Sequence, residues 1–161
     1  MKVFWSYAKR DDPTPHNVSN LKKSFETVLG QCIGDDVELF QDTSGLKWGV
    51  DWRKKLEQEV LSSNAFVCVL SPSYFNSKMC IQELVWAISN NVSIYPILYR
   101  KCPKGLQSSF SEDSDSHAEE LNRESKKVAK YQYVDFDKLR NKPKDGSEVL
   151  DFLDNLCEQI A

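Results

Sequence analysis

Ala65-Phe-Val-Cys-Val-Leu70 and the residues that follow it, Ser71-Pro-Ser-Tyr-Phe-Asn-Ser-Lys-Met-Cys-Ile-Gln-Glu-Leu-Val-Trp86, set the architecture of this 161-residue chain. The first run is apolar throughout, rich in β-branched and aromatic residues, and too short for a helix. Such a run is typical of a strand that is buried on both faces of a parallel sheet. Ser71 and Pro72 break the strand, and apolar residues then recur at helical spacing, which predicts a helix from about residue 76 to residue 90.

One carboxylate stands out in this predicted helix. Glu83 lies within the first two turns and shares a stripe of the helix with Met79 and Trp86. The helix begins near the carboxyl end of a central strand, and ligands bind at that edge of open α/β sheets. Glu83 is therefore the first candidate for a functional residue.

The rest of the chain alternates strands and helices. The sequence predicts further strands at residues 2–5, 37–40, 92–99 and 131–136, and further helices at about 17–32, 51–61 and 147–160. Pro96 favours an edge position or a local break for the strand that contains it. We therefore predict an α/β fold over residues 1–161 as a single domain: a doubly wound, flavodoxin-like, five-stranded parallel sheet with helices on both faces.

Residues 102–130 are the least regular part of the chain. Residues 108–116 are rich in serine and acidic residues, a composition typical of a solvated surface loop. A helix is a possible interpretation of residues 118–130, although their apolar positions are sparse. We therefore predict a polar surface insertion at residues 102–130.

Composition excludes several classes of function. A net charge of −3 gives no electrostatic reason to expect nucleic acid, and apolar runs of six or seven residues are too short to span a membrane. The first residues run into a strand without a secretory leader. Five widely spaced cysteines suit reduced thiols in a cytoplasmic protein, and with only two histidines we expect no metal site.

Common catalytic motifs are missing from the sequence. It contains no G-x-G-x-x-G or Walker-type phosphate loop, and no G-x-S-x-G elbow. The third predicted strand ends in Leu70-Ser71, where a receiver domain would have an aspartate. The predicted strand ends and the helix that follows supply instead Ser6, Tyr7, Asp42 and Glu83.

Four groups of residues follow one another along the chain. They are Val3-Phe-Trp-Ser-Tyr-Ala8; Leu39-Phe-Gln-Asp42 with Gly45-Leu-Lys-Trp-Gly49 and Trp52-Arg-Lys-Lys-Leu56; Val67-Cys-Val-Leu-Ser-Pro-Ser73 with Ser77, Cys80, Glu83 and Leu84; and Tyr95-Pro-Ile-Leu98. In this order they resemble the TIR (Toll/interleukin-1 receptor/resistance) domain family, in a bacterial form. The resemblance covers residues 1 to about 100 well and the remainder weakly.

The resemblance implies one of two functions. Some TIR domains are adaptors that signal through TIR–TIR contacts of the BB loop, the loop after the second strand, which the resemblance assigns to the segment around residues 45–49. Others cleave NAD into nicotinamide and ADP-ribose or a cyclic ADP-ribose, and their catalytic glutamate aligns with Glu83. Because adaptors often lack that glutamate, the resemblance favours an NAD glycohydrolase that is activated by self-assembly in immune or anti-phage defence. NAD is then the substrate, no cofactor is expected, and a fused or separate sensor or effector domain is a further expected partner.

One carboxylate suffices for this reaction. Nicotinamide is bonded to ribose through a cationic ring nitrogen, so it departs as a neutral molecule and needs no general acid. An ionised carboxylate in a partly apolar pocket can stabilise the ribosyl cation.

The expected site follows from these matches, with Glu83 as the catalytic residue. Met79 stands where the enzymes usually carry a tryptophan that walls the substrate, and this departure puts rate and substrate preference in question. The expected substrate-binding residues are Phe4, Ser6, Tyr7, Ala8, Arg10, Asp42, Trp48, Trp52, Ser77, Met79 and Cys80.

Simpler interpretations remain open for several of these residues. Glu83 can be a solvated helix residue, Trp52 and Cys80 can be core residues, and Arg10 can be a loop charge. For the whole chain, the alternatives are a non-catalytic TIR adaptor and an enzyme similar to nucleoside deoxyribosyltransferases.

Overall fold

The structure, a computed structural model, describes residues 1–42, 51–112 and 116–161, without the side chain of residue 116. In these ranges, five parallel strands form one sheet: β1 (Lys2–Tyr7), β2 (Glu38–Phe40), β3 (Ala65–Leu70), β4 (Ser93–Leu98) and β5 (Val134–Asp135). Their spatial order is β2-β1-β3-β4-β5. This is the flavodoxin-like order, so the predicted fold class is confirmed.

Helices cover both faces of the sheet. α1 (Asn17–Ile33) and α6 (Ser147–Ile160) pack on one face, against the side chains that include Val3, Trp5 and Val67. The other face carries α2 (Trp52–Leu61), α3 (Pro72–Phe75), α4 (Lys78–Ser89) and α5 (Ser116–Ser125). Short 3-10 turns lie at Lys9–Asp11, Lys126–Lys130 and Asp137–Leu139. Across the three described ranges, every helix is too short or too polar to cross a membrane.

Two serine caps start the helices that follow β3: α3, which the sequence did not predict, and α4, which matches the helix predicted from about residue 76 to residue 90. The Ser71 hydroxyl accepts a hydrogen bond from the Tyr74 amide at 3.0 Å and starts α3. The Ser77 hydroxyl accepts one from the Cys80 amide at 3.2 Å and starts α4. Because each cap satisfies an amide that a helix start leaves open, the chain turns between the two helices.

The predicted alternatives for Pro96 do not describe β4, which lies between β3 and β5 inside the sheet and is continuous from Ser93 to Leu98. β5 is much shorter than the predicted strand at residues 131–136, and it pairs only with Ile97 and Leu98. Pro96 therefore lies beyond the pairing with β5, where a missing backbone N–H is tolerated.

The prediction of a solvated loop at residues 108–116 is wrong for Ser108, which is only 4% exposed. Its hydroxyl donates to Asn122 Oδ1 at 2.9 Å, and its amide donates to Ser125 Oγ at 3.0 Å. Asn122 also accepts from the Phe110 amide and donates to the Phe110 carbonyl, both at 2.9 Å. These hydrogen bonds hold the segment against α5. Composition cannot reveal them, because the polar side chains bond to one another and not to water.

We expect Asn122→Ala to lower the free energy of unfolding by about 2–3 kcal/mol, because it leaves the Phe110 amide and carbonyl without their partner. Urea denaturation measures the loss. Asn155→Ala is the matched control, since exposed Asn155 donates only to a carbonyl of its own helix, and it should change stability by less than about 0.5 kcal/mol. A loss no larger than that of the control would contradict this account of the segment.

Candidate active site

A cleft of about 700 Å³ lies at the carboxyl ends of β1 and β2, beside the first turns of α4. Its volume is in the range of about 300–1,000 Å³ that is usual for small-molecule sites. The residues of its wall are Tyr7, Ala8, Lys9, Arg10, Asp42, Trp52, Ser73, Asn76, Ser77, Met79, Cys80 and Glu83.

Glu83 places a carboxyl group in this wall although the residue is only 4% exposed. The Ser6 hydroxyl donates a hydrogen bond to Glu83 Oε2 at 2.5 Å. The pKa of Glu83 is raised to about 8, and burial is the largest cause. The negative charge of Asp42 raises this pKa further, whereas the hydrogen bond from Ser6 and the positive charge of Lys9 lower it. The site therefore holds a carboxyl group that changes charge near neutral pH.

The fold of α4 explains why this glutamate is buried. The helix packs on the sheet through apolar residues that include Ile81, Leu84 and Ala87, all fully buried. Glu83 lies among them in sequence and points towards β1, where it contacts Ser6. Ser6 pairs with Cys68 of β3, so the carboxyl group is held above two central strands.

Two cations stand at the rim of the cleft. Lys9 and Arg10 are both exposed and belong to the 3-10 turn that follows β1. They can bind the anionic part of a ligand while its other end lies beside Glu83. Arg10 was predicted as a site residue and Lys9 was not, although Lys9 lies between two predicted residues.

The opposite part of the wall is apolar. Trp52 and Met79 are partly buried and pack against the same core cluster as Leu56. Trp52 follows Asp51, whose side chain caps α2 by accepting from the Lys54 amide at 3.2 Å. The core role and the site role considered for Trp52 are thus compatible, because its ring takes part in both.

Of the predicted site residues, nine lie in the wall: Tyr7, Ala8, Arg10, Asp42, Trp52, Ser77, Met79, Cys80 and Glu83. Ser6 is buried and contacts Glu83 instead of lining the cleft. Trp48 lies outside the described residues. The wall also contains Lys9, Ser73 and Asn76, which the sequence analysis missed. Ser73 lies in α3 and Asn76 directly follows it, before α4 begins.

Phe4 differs from its prediction as a pocket residue. It is 0% exposed, and its ring stacks on Phe66 with centroids 5.4 Å apart and lies 5.3 Å from the ring of Phe40. β1 ends three residues later, so Phe4 is too deep in the sheet to reach the edge where the cleft opens. Phe4 therefore supports the floor of the sheet as a core residue.

Cys80 has no feature of a nucleophile. Burial raises the pKa of its thiol well above the ordinary value, with Glu83 as the next cause, so the sulfur stays protonated at neutral pH. Within the described ranges, no group of three histidine, cysteine, aspartate or glutamate side chains is arranged to hold a metal ion. Among the buried residues of the described wall, Glu83 therefore supplies the reactive group.

A polar cluster next to the site joins three helices. Gln82 Oε1 accepts hydrogen bonds from Arg53 Nη2 at 2.8 Å and from His117 Nε2 at 2.6 Å. Arg53 Nη2 also lies 3.3 Å from His117 Nε2, and His117 Nδ1 lies 3.3 Å from the Glu120 carboxylate. The cluster ties α2 and α5 to α4 at the residue beside Glu83, and it borders a second cavity of about 430 Å³.

The fold of the chain is similar to that of solved TIR domains. The TIR domains of the activated Roq1 resistosome, which directly recognises the pathogen effector XopQ, match with a TM-score of 0.68 and 19% identity, over 100% of this chain and 99% of theirs. The TIR domain of the Toll-related receptor TRR-2 from Hydra magnipapillata matches with a TM-score of 0.51 and 17% identity, over 94% of this chain and 96% of its own.

A search of curated proteins gave no match. A family model described as the TIR domain matches residues 3–150, which is most of the chain and includes the whole wall of the cleft. The chain therefore belongs to the TIR domain family.

Proposed function

We propose that this TIR domain is an NAD glycohydrolase, which cleaves the bond between nicotinamide and ribose and forms ADP-ribose or a cyclic ADP-ribose. The observation that carries the proposal is the position of Glu83, whose carboxyl group is buried in the wall of a cleft of ligand size and hydrogen-bonded to Ser6 at 2.5 Å. A glutamate with only a solubilising role would face water.

The reaction needs one anionic group at the sugar. The C1′–N bond breaks, its electron pair returns to the ring nitrogen, and nicotinamide leaves as a neutral molecule. The ionised Glu83 carboxylate then lies beside the positive charge that develops on the ribose, in surroundings of low dielectric constant that strengthen the attraction. Water adds at C1′ and releases a proton to give ADP-ribose, whereas an internal nucleophile gives a cyclic product.

The substrate itself helps to ionise Glu83. Burial keeps a large fraction of this carboxyl group protonated in the free protein near pH 7, since its pKa is about 8. The nicotinamide ring of NAD carries a positive charge, and an adjacent positive charge favours the carboxylate form. NAD binding therefore produces the charged form that the reaction uses.

The remaining wall fits the other parts of NAD. Lys9 and Arg10 at the rim suit the pyrophosphate, and Trp52 with Met79 supplies an apolar surface for a ring. Met79 contacts a ring through a flexible thioether, which positions it less firmly than the flat side chain of tryptophan does.

We further propose that self-association through TIR–TIR contacts activates the enzyme, in a cytoplasmic immune or anti-phage pathway with a fused or separate sensor domain. The Roq1 TIR domains belong to an assembled resistosome, which supports this proposal by analogy of fold.

A non-catalytic scaffold is the second candidate, and the weaker wall that Met79 provides favours it.

Replacing the carboxylate separates the two candidates. Protein clustered at high concentration should release nicotinamide from NAD, and Glu83→Gln should reduce the rate by about 100-fold or more, because the amide cannot neutralise the ribosyl cation. Chromatography of free nicotinamide measures the rate, with exposed Glu158→Gln as the matched control. An equal rate in Glu83→Gln and the control would reject Glu83 as the catalytic group, and no release from any clustered sample would favour the scaffold.

The rate should depend on pH in a defined direction. The carboxylate is the active form, so kcat/KM should rise about tenfold per pH unit below a midpoint near 8, the pKa of Glu83, and level off above it. Initial rates between pH 6 and pH 9 measure the profile, and circular dichroism at each pH verifies that the protein stays folded. A rate that falls between pH 6 and pH 8 would show that the protonated form acts instead.

Glu83 should also cost stability as it ionises. Its pKa is about 8 in the folded protein against an ordinary value of 4.5, so its contribution is fully present below about pH 4.5 and is lost as pH rises through 8. The advantage of Glu83→Gln over the native protein should therefore grow between pH 5 and pH 8, by on the order of 3 kcal/mol. Urea denaturation at each pH measures it, and a difference that stays constant with pH would contradict the burial of an ionisable group.

A further inference from the structure

A buried chain of hydroxyl groups leads from Glu83 into the core. Ser6 Oγ lies 2.5 Å from Glu83 Oε2 and 2.9 Å from the Tyr74 hydroxyl oxygen. The Tyr74 hydroxyl group in turn lies 3.3 Å from the carbonyl oxygen of Cys80. Ser6 and Tyr74 are both essentially unexposed, so these groups depend on one another for hydrogen bonds.

We propose that Ser6 and Tyr74 form a two-way hydrogen-bond relay, which holds the Glu83 carboxyl group in one position both when it is ionised and when it is protonated. Because Glu83 is the catalytic group of the proposed function, the inference rests on that function for its role in catalysis. Ser6 and Tyr74 are then positioning residues, which act through Glu83 and do not touch the substrate.

In the ionised state the relay points towards the carboxylate. A carboxylate only accepts hydrogen bonds, so the Ser6 hydroxyl must donate to Glu83 Oε2. The lone pairs of Ser6 Oγ are then free to accept the hydrogen of Tyr74 at 2.9 Å. Each hydroxyl group thus supports its neighbour, and the charge at Glu83 is stabilised along the whole chain.

In the protonated state the relay points the other way. The Glu83 hydroxyl donates to Ser6 Oγ, Ser6 donates to the Tyr74 oxygen, and Tyr74 donates to the Cys80 carbonyl at 3.3 Å. Only hydroxyl hydrogens rotate between the two states, and the one proton gained or lost is the proton of Glu83. No buried hydroxyl is left without a partner in either state, which avoids the cost of an unsatisfied polar group.

The surrounding groups allow Glu83 to be the one that titrates. Glu83 faces one positive and one negative side chain, which act on its pKa in opposite directions: Lys9, from the turn after β1, lowers it, and Asp42, after β2, raises it. Burial raises the pKa of Tyr74, of Cys68 on β3 and of Cys80 on α4, and these groups therefore stay neutral where Glu83 changes charge. The relay thus connects one ionisable carboxyl group to neutral hydroxyl groups.

The test is a titration of Glu83 by carbon NMR, in protein labelled with ¹³C at the side-chain carboxyl of glutamate, with Glu83→Gln to assign the signal. Ser6→Ala removes a charge-assisted hydrogen bond from the ionised state and a weaker neutral one from the protonated state, so it should raise the midpoint by about one to two pH units. Ser6→Thr keeps a hydroxyl group and should restore the native midpoint. Tyr74→Phe removes the bond between Ser6 and Tyr74 from both states, and from the protonated state also the longer bond of 3.3 Å to the Cys80 carbonyl. Because both states lose support, its midpoint should move by less than about half a unit.

Activity gives the second reading. Tyr74→Phe should lower kcat on the high-pH plateau by about tenfold at unchanged KM, because the carboxyl group is held less precisely. Tyr133→Phe removes an exposed tyrosine hydroxyl and is the matched control for both readings. An unchanged midpoint in Ser6→Ala overturns the relay, and so does a rise in Tyr74→Phe as large as that in Ser6→Ala, since Tyr74 would then be a donor in one direction only.

The titration requires no substrate, so the two proposals can fail separately. If the midpoints shift as expected while no sample releases nicotinamide, the relay stands and the proposed activity is wrong. If nicotinamide is released but the midpoint of Ser6→Ala equals that of the native protein, the activity stands and the relay is wrong.

Discussion

The hydrogen bond from Ser6 to Glu83 joins the end of a central strand to a helix that packs on the sheet, and the candidate site depends on it. The bond lies at 2.5 Å between groups that are almost wholly removed from water. Burial has two opposite effects at this position. It strengthens the action of the carboxylate on a nearby cation, and it makes the ionised protein less stable. Within the proposed function, the burial of Glu83 therefore accounts both for its reactivity and for the loss of stability when it ionises.

The sheet provides the rigid base for this placement. β1 and β3 pair in parallel from Val3 to Tyr7, so Ser6 has little freedom to move along the strand. Two capped helix starts, at Ser71 and Ser77, then bring the chain back across the carboxyl edge before α4 begins. This arrangement lets one short segment supply both Tyr74, beneath the carboxyl group, and Ser73 with Asn76, beside the cleft.

The sequence predicted the elements that are fixed by apolar periodicity. The buried strand at residues 65–70 and the apolar faces of α1, α4 and α6 follow from local patterns. The alternation of helices and strands predicts a parallel, doubly wound sheet, and the structure has the flavodoxin-like one of its two common orders. Its position at the start of a helix brought Glu83 forward, and the family motif supported it. Its bond to Ser6 joins residues 77 positions apart, which no local pattern contains.

The residues whose positions differ from the prediction do so because of contacts between segments that are distant in sequence. Ser108 is polar in sequence and buried in the structure because Asn122 and Ser125 satisfy it. Phe4 belongs to the matching motif but lies one layer too deep to reach the cleft. Ser73 and Asn76 reach the wall through α3, which the Ser71 cap starts, and Lys9 reaches it through the 3-10 turn after β1. The directions of these turns were visible only once the fold was known.

The amide of Gln82 has a consequence for how this chain can diverge. One oxygen atom serves Arg53 of α2 and His117 of α5, at the position immediately before Glu83. A change at Gln82 removes the acceptor that the other two side chains share, so lineages should exchange the three residues as a set, and co-variation among positions 53, 82 and 117 is the expected trace. We therefore expect α5 to be retained in evolution together with Glu83.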